Sequence, residues 1–101
     1  MKRGDNARLQ MKKVLCTDAV LDTNNYVCSV YSYDVQAECI YLVLENGQLS
    51  DISLDAIYEC QIEEAEQAKI STGRVQQRYR TKYGNLLEFQ VENGFYKISI
   101  K

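Results

Sequence analysis

Apolar and polar residues alternate with a period of two along most of this chain, the pattern of strands that bury one face. Residues 26–33 (Tyr-Val-Cys-Ser-Val-Tyr-Ser-Tyr) are rich in β-branched and aromatic side chains and read as a strand. Residues 14–22 alternate similarly. The turn residues Asp22-Thr23-Asn24-Asn25 between the two runs predict a first hairpin. Residues 39–44 are apolar throughout, as in a strand covered on both faces or one whose outer face meets a partner. Asn46-Gly47 is a strong hairpin signal. It predicts that Leu49-Ser50-Asp51-Ile52-Ser53-Leu54-Asp55-Ala56 begins as a return strand, with Asp51 and Ser53 on one face and Ile52 and Leu54 on the other.

Residues 54–68 carry two patterns. Ala56, Tyr58, Cys60 and Ile62 alternate as in a strand; Leu54, Ile57, Tyr58, Ile62 and Ala65 fit a helix with Ser53 as N-cap. The neighbouring hairpins need partners, which favours the strand. Residues 70–80 form a long strand in which Gly73 marks a bulge or a close backbone approach. Arg74, Gln76, Arg78 and Arg80 share one of its faces. After the turn Thr81-Lys82-Tyr83-Gly84, Leu87, Phe89 and Val91 form an inner row. Glu92-Asn93-Gly94 predicts another hairpin, and Tyr96, Ile98 and Ile100 share a face of the last strand. Residues 1–10 are polar and aperiodic and read as a mobile tail. The expectation is an all-β protein: one small antiparallel β-barrel over residues 11–101, of six to eight short strands joined by tight hairpin turns. Closure would remove exposed edges that no proline protects.

Composition narrows the function. A 46% hydrophobic content over 101 residues suits a single core. The formal charge of −2 argues against a generic DNA or RNA binder, and no apolar run approaches a membrane span. The charge is uneven: between residues 14 and 68 there is no Lys or Arg, while every acidic residue except Asp5, Glu88 and Glu92 lies there. Either the basic ends fold against the acidic middle, or they form a face that receives phosphates. The four cysteines, Cys16, Cys28, Cys39 and Cys60, make no CxxC pair, and histidine is absent. A zinc site is therefore not expected, and the cysteines read as small buried hydrophobes in a reducing, cytoplasmic setting.

Catalysis lacks its usual parts. Without histidine the commonest general base near neutral pH is missing, the cysteines have no activating partner, and the five glycines are dispersed rather than gathered in a phosphate loop. Binding is better supplied. Arg74, Arg78 and Arg80 could each grip a phosphate in bidentate fashion, and eight tyrosines offer flat amphipathic area. Tyr31 and Tyr33 are expected on one face, as are Tyr26 and Cys28.

Asp51-Ile52-Ser53-Leu54-Asp55-Ala56 resembles the (D/N)-x-S-x-x-G motif of PilZ domains, a bacterial family of small six-stranded barrels that bind cyclic di-GMP. Gly73-Arg74-Val75 and Tyr83-Gly84-Asn85-Leu86-Leu87-Glu88-Phe89 resemble its later strand pair. The likeness covers residues 45–95. It implies that Asp51 and Ser53 read a guanine and that an upstream R-x-x-x-R segment grips phosphates. Ala56 stands where that family has Gly, and the upstream positions hold Arg8 and Lys12, a lysine lacking the planar fork of arginine.

The sequence thus leads to a non-enzymatic, PilZ-like binding or regulatory module. It would act through a protein surface, with a weak or lost nucleotide site and no cofactor. One alternative is a cyclic di-GMP receptor using Arg8, Lys12, Asp51 and Ser53, with Arg74 and Arg78 as further contacts. Another is a structural or dimerisation domain in which the apolar strand 39–44 pairs with a second copy. The partner is an unidentified protein or the chain itself.

Overall fold

A computed structural model describes residues 1–17 and 19–99, and of residues 95–99 the backbone alone. Six strands close into an antiparallel barrel: β1 (Asn6–Val14), β2 (Asn25–Asp34), β3 (Cys39–Leu44), β4 (Ala56–Glu64), β5 (Gln67–Thr81) and β6 (Gly84–Ser99). Around the barrel the order is β1-β2-β3-β6-β5-β4, with β4 paired to β1. The all-β class and the closed barrel are as the alternation predicts, and residues 56–64 are strand rather than helix. Among the described residues no helix is long and apolar enough to cross a membrane.

Alternation builds the core. Leu9 and Met11 of β1, Cys28 and Val30 of β2, Ile40 and Leu42 of β3, Tyr58, Cys60 and Ile62 of β4, Val75 of β5, and Leu87 and Phe89 of β6 all point inward and are buried. One local expectation holds, at Gly73, and a tight turn precedes that strand. Ala65 takes a positive φ in the tight turn between β4 and β5. Gly73 is a close approach: a Cβ there would lie 2.0 Å from the Gln90 carbonyl oxygen, beside shifts in the β5–β6 register.

Several expectations are corrected. The tail assigned to residues 1–10 supplies the first half of β1, where Ala7 and Leu9 are fully buried; these two apolar positions alone mark it, too few to stand out against polar neighbours. Gly4 is also held, its N–H donating to the Val30 carbonyl at 2.9 Å. Of the strand placed over residues 14–22 only Val14 is extended in the sheet; residues 15–17 and 19–22 are irregular. The hairpin at Glu92-Asn93-Gly94 does not form: β6 runs straight through, pairing Asn93 with Thr72 and Tyr96 with Ile70. Turn residues permit a reversal, but the long partner β5 offers a ladder that favours continuing. β5 and β6 span 15 and 16 residues, so these strands are not short. The shared face of Tyr96, Ile98 and Ile100 lies outside the described residues.

The largest correction is at Asn46-Gly47. β3 does not turn back on itself. It pairs with β6, and residues 45–55 cross the end of the barrel to reach β4. Both edges of β3 are occupied, by β2 and β6, so the expected pairing of this strand with a second copy has no free edge.

Two bulges decide which side chains face out. Between Val75 and Gln77 the β5 register slips by one residue against β6. Before it Val75 pairs with the buried Phe89; after it Arg78 pairs with the buried Leu87 and Arg80 with Asn85. Paired residues share a face, so Arg74 is outside while Arg78 and Arg80 lie on the inner side, over the barrel mouth. The expected row of Arg74, Arg78 and Arg80 is thereby split. A second slip, between Val30 and Ser32, separates Tyr31 from Tyr33: Tyr33 packs on the core, whereas Tyr31 meets Tyr83 outside, ring centroids 5.4 Å apart. Tyr26 and Cys28 do share the inner face.

Candidate functional site

One end of the barrel gathers the β1–β2 loop, the β3–β4 crossover and the β5–β6 turn, because β1, β3 and β5 all finish there. The motif residues lie on the crossover. Leu49–Asp51 is a single 3₁₀ turn, not a strand, so Asp51 and Ser53 do not share an extended face. The Asp51 carboxylate accepts the Gln48 N–H at 2.9 Å, and the Ile52 N–H donates to the Leu49 carbonyl at 3.1 Å. Ser53 Oγ accepts the Asp55 N–H at 3.0 Å, while the Ser53 N–H donates to the buried Tyr58 hydroxyl at 2.9 Å. Both side chains thus cap their own turns, the local use that short polar residues commonly find. Ile52, fully buried, plugs the barrel mouth between them.

Arg78 fastens this segment. Its Nη1 donates to the Leu49 carbonyl at 3.0 Å and to the Ile52 carbonyl. The bulge in β5 makes this reach possible by turning Arg78 inward. Arg8 and Lys12 lie elsewhere: Arg8 is exposed on β1 between Val27 and Gln61, and Lys12 Nζ donates to Gln10 Oε1 at 2.9 Å. Among the described residues no contact links either to Asp51 or Ser53. Arg74 lines a shallow outer cleft of about 300 Å³ with Leu54, Gln76, Gln90 and Glu92. Of the six residues expected to form a ligand site, only Asp51, Ser53 and Arg78 come together, and their bonding groups are engaged by the backbone.

The β1–β2 loop is tied down by two anchors. The Asp22 carboxylate accepts from the Tyr26 hydroxyl and from the Asn24 N–H. Those bonds hold the Asp22 carboxyl below its ordinary value, while burial, then the bond to Asp22, pushes the Tyr26 hydroxyl up to about 12. Further along, the Leu15 N–H donates to the Asp55 carbonyl at 2.9 Å, joining this loop to the crossover. Between and beside these anchors Val20 is 87% exposed, Leu21 45%, Leu15 43% and Leu54 37%.

A third feature centres on Arg80, which the sequence offers as a phosphate-gripping arginine but in one row with Arg74 and Arg78. Arg80, turned to the inner side by the bulge, lines two clefts of about 410 and 360 Å³. One is shared with Gln48, Leu49, Ser50 and Asn85; the other with Leu44, Thr81, Lys82, Gly84 and Asn85. Alternation placed Arg80 on the same strand face as Arg74, and nothing in the local pattern marks where a bulge separates them.

Of the cysteines, Cys16 is exposed and Cys28, Cys39 and Cys60 are buried, all as free thiols. Burial, with the Glu45 charge second, pushes the Cys28 thiol up to about 12. Lys69 pairs with Glu64 at 3.6 Å, a contact of the kind expected if the basic ends fold against the acidic middle.

Compared with protein-family models, with curated proteins and with solved structures, the chain matches none.

Proposed function

We propose that this protein is a non-enzymatic, PilZ-like binding or regulatory module that acts through a protein surface and has lost the nucleotide site of that family. The observation that carries the reading is the apolar loop end. Val20, Leu21, Leu15 and Leu54 are exposed on two segments joined by the Leu15–Asp55 bond. Single exposed aliphatics are ordinary, but several on adjoining loops support the reading of a contact surface. Supporting the loss of the nucleotide site, the Asp51 and Ser53 side chains already accept backbone donors and Arg78 already serves two carbonyls. A dinucleotide would have to break those bonds to use them.

The test is site-specific photocrosslinking in the cells that make the protein. A photoreactive residue at Val20 is expected to yield one discrete protein adduct. The same residue at Val35, 69% exposed on the β2–β3 loop at the opposite end, is expected to yield none. Equal labelling from both positions, or no adduct from Val20, refutes the surface. Titration calorimetry with cyclic di-GMP is expected to give no heat at high micromolar concentration; saturable heat that is lost in Asp51→Ala restores the receptor reading.

A further inference from the structure

The paired clefts around Arg80 point to a ligand, and from them we infer a binding site for a small phosphorylated polyol, of the sugar-phosphate class. Three observations combine. The first is charge without a partner. The Arg80 guanidinium has no hydrogen bond or ion pair among the described residues, and Lys82, whose ammonium lies 5.2 Å from the Tyr83 ring centroid, lines the same cleft. No carboxylate lines either cleft. Two cations facing a hollow with no acid in its walls are arranged for an anion, and an arginine fork matches the oxygen spacing of a phosphoryl group.

The second is the chemistry of the walls. Asn85 and Ser50 carry an amide and a hydroxyl that make no hydrogen bond among the described residues, and Asn85 lines both clefts. Those groups can donate to and accept from ligand hydroxyls. Apart from Leu44 and Leu49 the walls are polar, which suits a hydroxylated body better than an aromatic one. Both are open surface hollows, of about 410 and 360 Å³, so a ligand there keeps one side in water, as the hydroxyls of a polyol allow.

The third is a fixed frame. On one side Leu49 and Ser50 sit on the 3₁₀ turn that Arg78 clamps through the Leu49 and Ile52 carbonyls. On the other, Arg80 and Asn85 are paired across the β5–β6 ladder, and Asn85 is paired again with Leu44. The backbone that carries these side chains is therefore fixed before any ligand arrives, so binding has only the side chains themselves to order. The phosphoryl group would lie between Arg80 and Lys82, with the polyol hydroxyls on Asn85 and Ser50. These residues differ from the aliphatic side chains of the proposed protein surface, so the two readings stand or fall separately.

The experiment is a nuclear magnetic resonance titration of the ¹⁵N-labelled chain with ribose 5-phosphate, inorganic phosphate, ribose and adenosine monophosphate. Ribose 5-phosphate is expected to shift the amides of Ser50, Arg80, Lys82 and Asn85, and to bind about tenfold more tightly than inorganic phosphate. Ribose alone is expected to leave them unmoved. Arg80→Gln is expected to weaken both phosphates by about tenfold to a hundredfold. Asn85→Ala is expected to remove the advantage of the sugar while leaving inorganic phosphate unchanged. Far-UV circular dichroism checks that both variants stay folded. No shift at these amides at 10-fold excess over millimolar protein (about 10 mM ligand) overturns the site, as does an unchanged affinity in Arg80→Gln. Equal affinity for phosphate and ribose 5-phosphate overturns the polyol assignment. A clear preference for adenosine monophosphate over ribose 5-phosphate does the same in favour of a base-reading site.

Discussion

Replacing Gly73 by alanine should be among the most damaging single-methyl changes this fold can suffer. The added Cβ would sit 2.0 Å from the Gln90 carbonyl oxygen, 2.9 Å from its carbon and 3.1 Å from the Val91 Cα. All three are backbone atoms of β6, so no side chain can swing aside. Relief requires β6 to move away by roughly 1 Å, about what a tolerable C···O contact demands. The flanking pairs Arg74↔Gln90 and Thr72↔Asn93 resist that movement. Overpacking of this kind costs about 1–3 kcal/mol, and each ladder hydrogen bond lost adds about 1 kcal/mol. The expected destabilisation is therefore about 3–5 kcal/mol, a large share of the roughly 5–15 kcal/mol that holds such a domain together. In a domain of this size that lowers Tm by about 15–30 °C. Urea unfolding followed by far-UV circular dichroism is the assay, with Gly94→Ala as the control. At Gly94 nothing lies within 4 Å of the added atom, so its cost should be no more than about 0.5 kcal/mol. If Gly73→Ala unfolds within 1 kcal/mol of the wild type (about one ladder bond), the close approach of β5 and β6 is wrong.

Two further outcomes follow from the crossover and the β1–β2 loop. Arg78→Met should cost about 1–3 kcal/mol by leaving the Leu49 and Ile52 carbonyls without their charged donor, and hydrogen exchange at the Asp51 and Ile52 amides should accelerate. Unchanged exchange there would show that Arg78 does not clamp the turn. For pH, the Asp22 carboxyl titrates below its ordinary 3.8 in the folded chain, chiefly through the Tyr26 hydroxyl bond. Its contribution to stability is full above that value and is lost as pH falls through the lower folded value. Asp22→Asn should thus be less stable than the wild type near neutrality and should converge with it in acid, as measured by urea midpoints across that range; a constant gap would exclude the coupling.

How far the sequence reaches can be judged residue by residue. The period of two determines an all-β chain and, where no bulge intervenes, its inward rows, as with Ala56, Tyr58, Cys60 and Ile62 of β4, because side-chain direction in a regular strand follows from chain geometry alone. The same holds for Gly73, where a glycine inside a strand signals a backbone neighbour, and for the lack of histidine, which removes a reactive group whatever the fold. The tertiary structure decided everything that depends on which strands become neighbours. Asn46-Gly47 and Asn93-Gly94 carry the same local turn chemistry, yet one lies in a crossover and the other inside a continuous strand, since the available partner determines whether the chain reverses. Two one-residue bulges then reassign faces: they move Arg78 onto the crossover, Arg80 over the clefts and Tyr31 to the outside. A bulge settles register between two distant segments, and register is energetically defined only once both segments are paired, so the inner row Arg78 and Arg80 exists in the barrel and not in the string of residues.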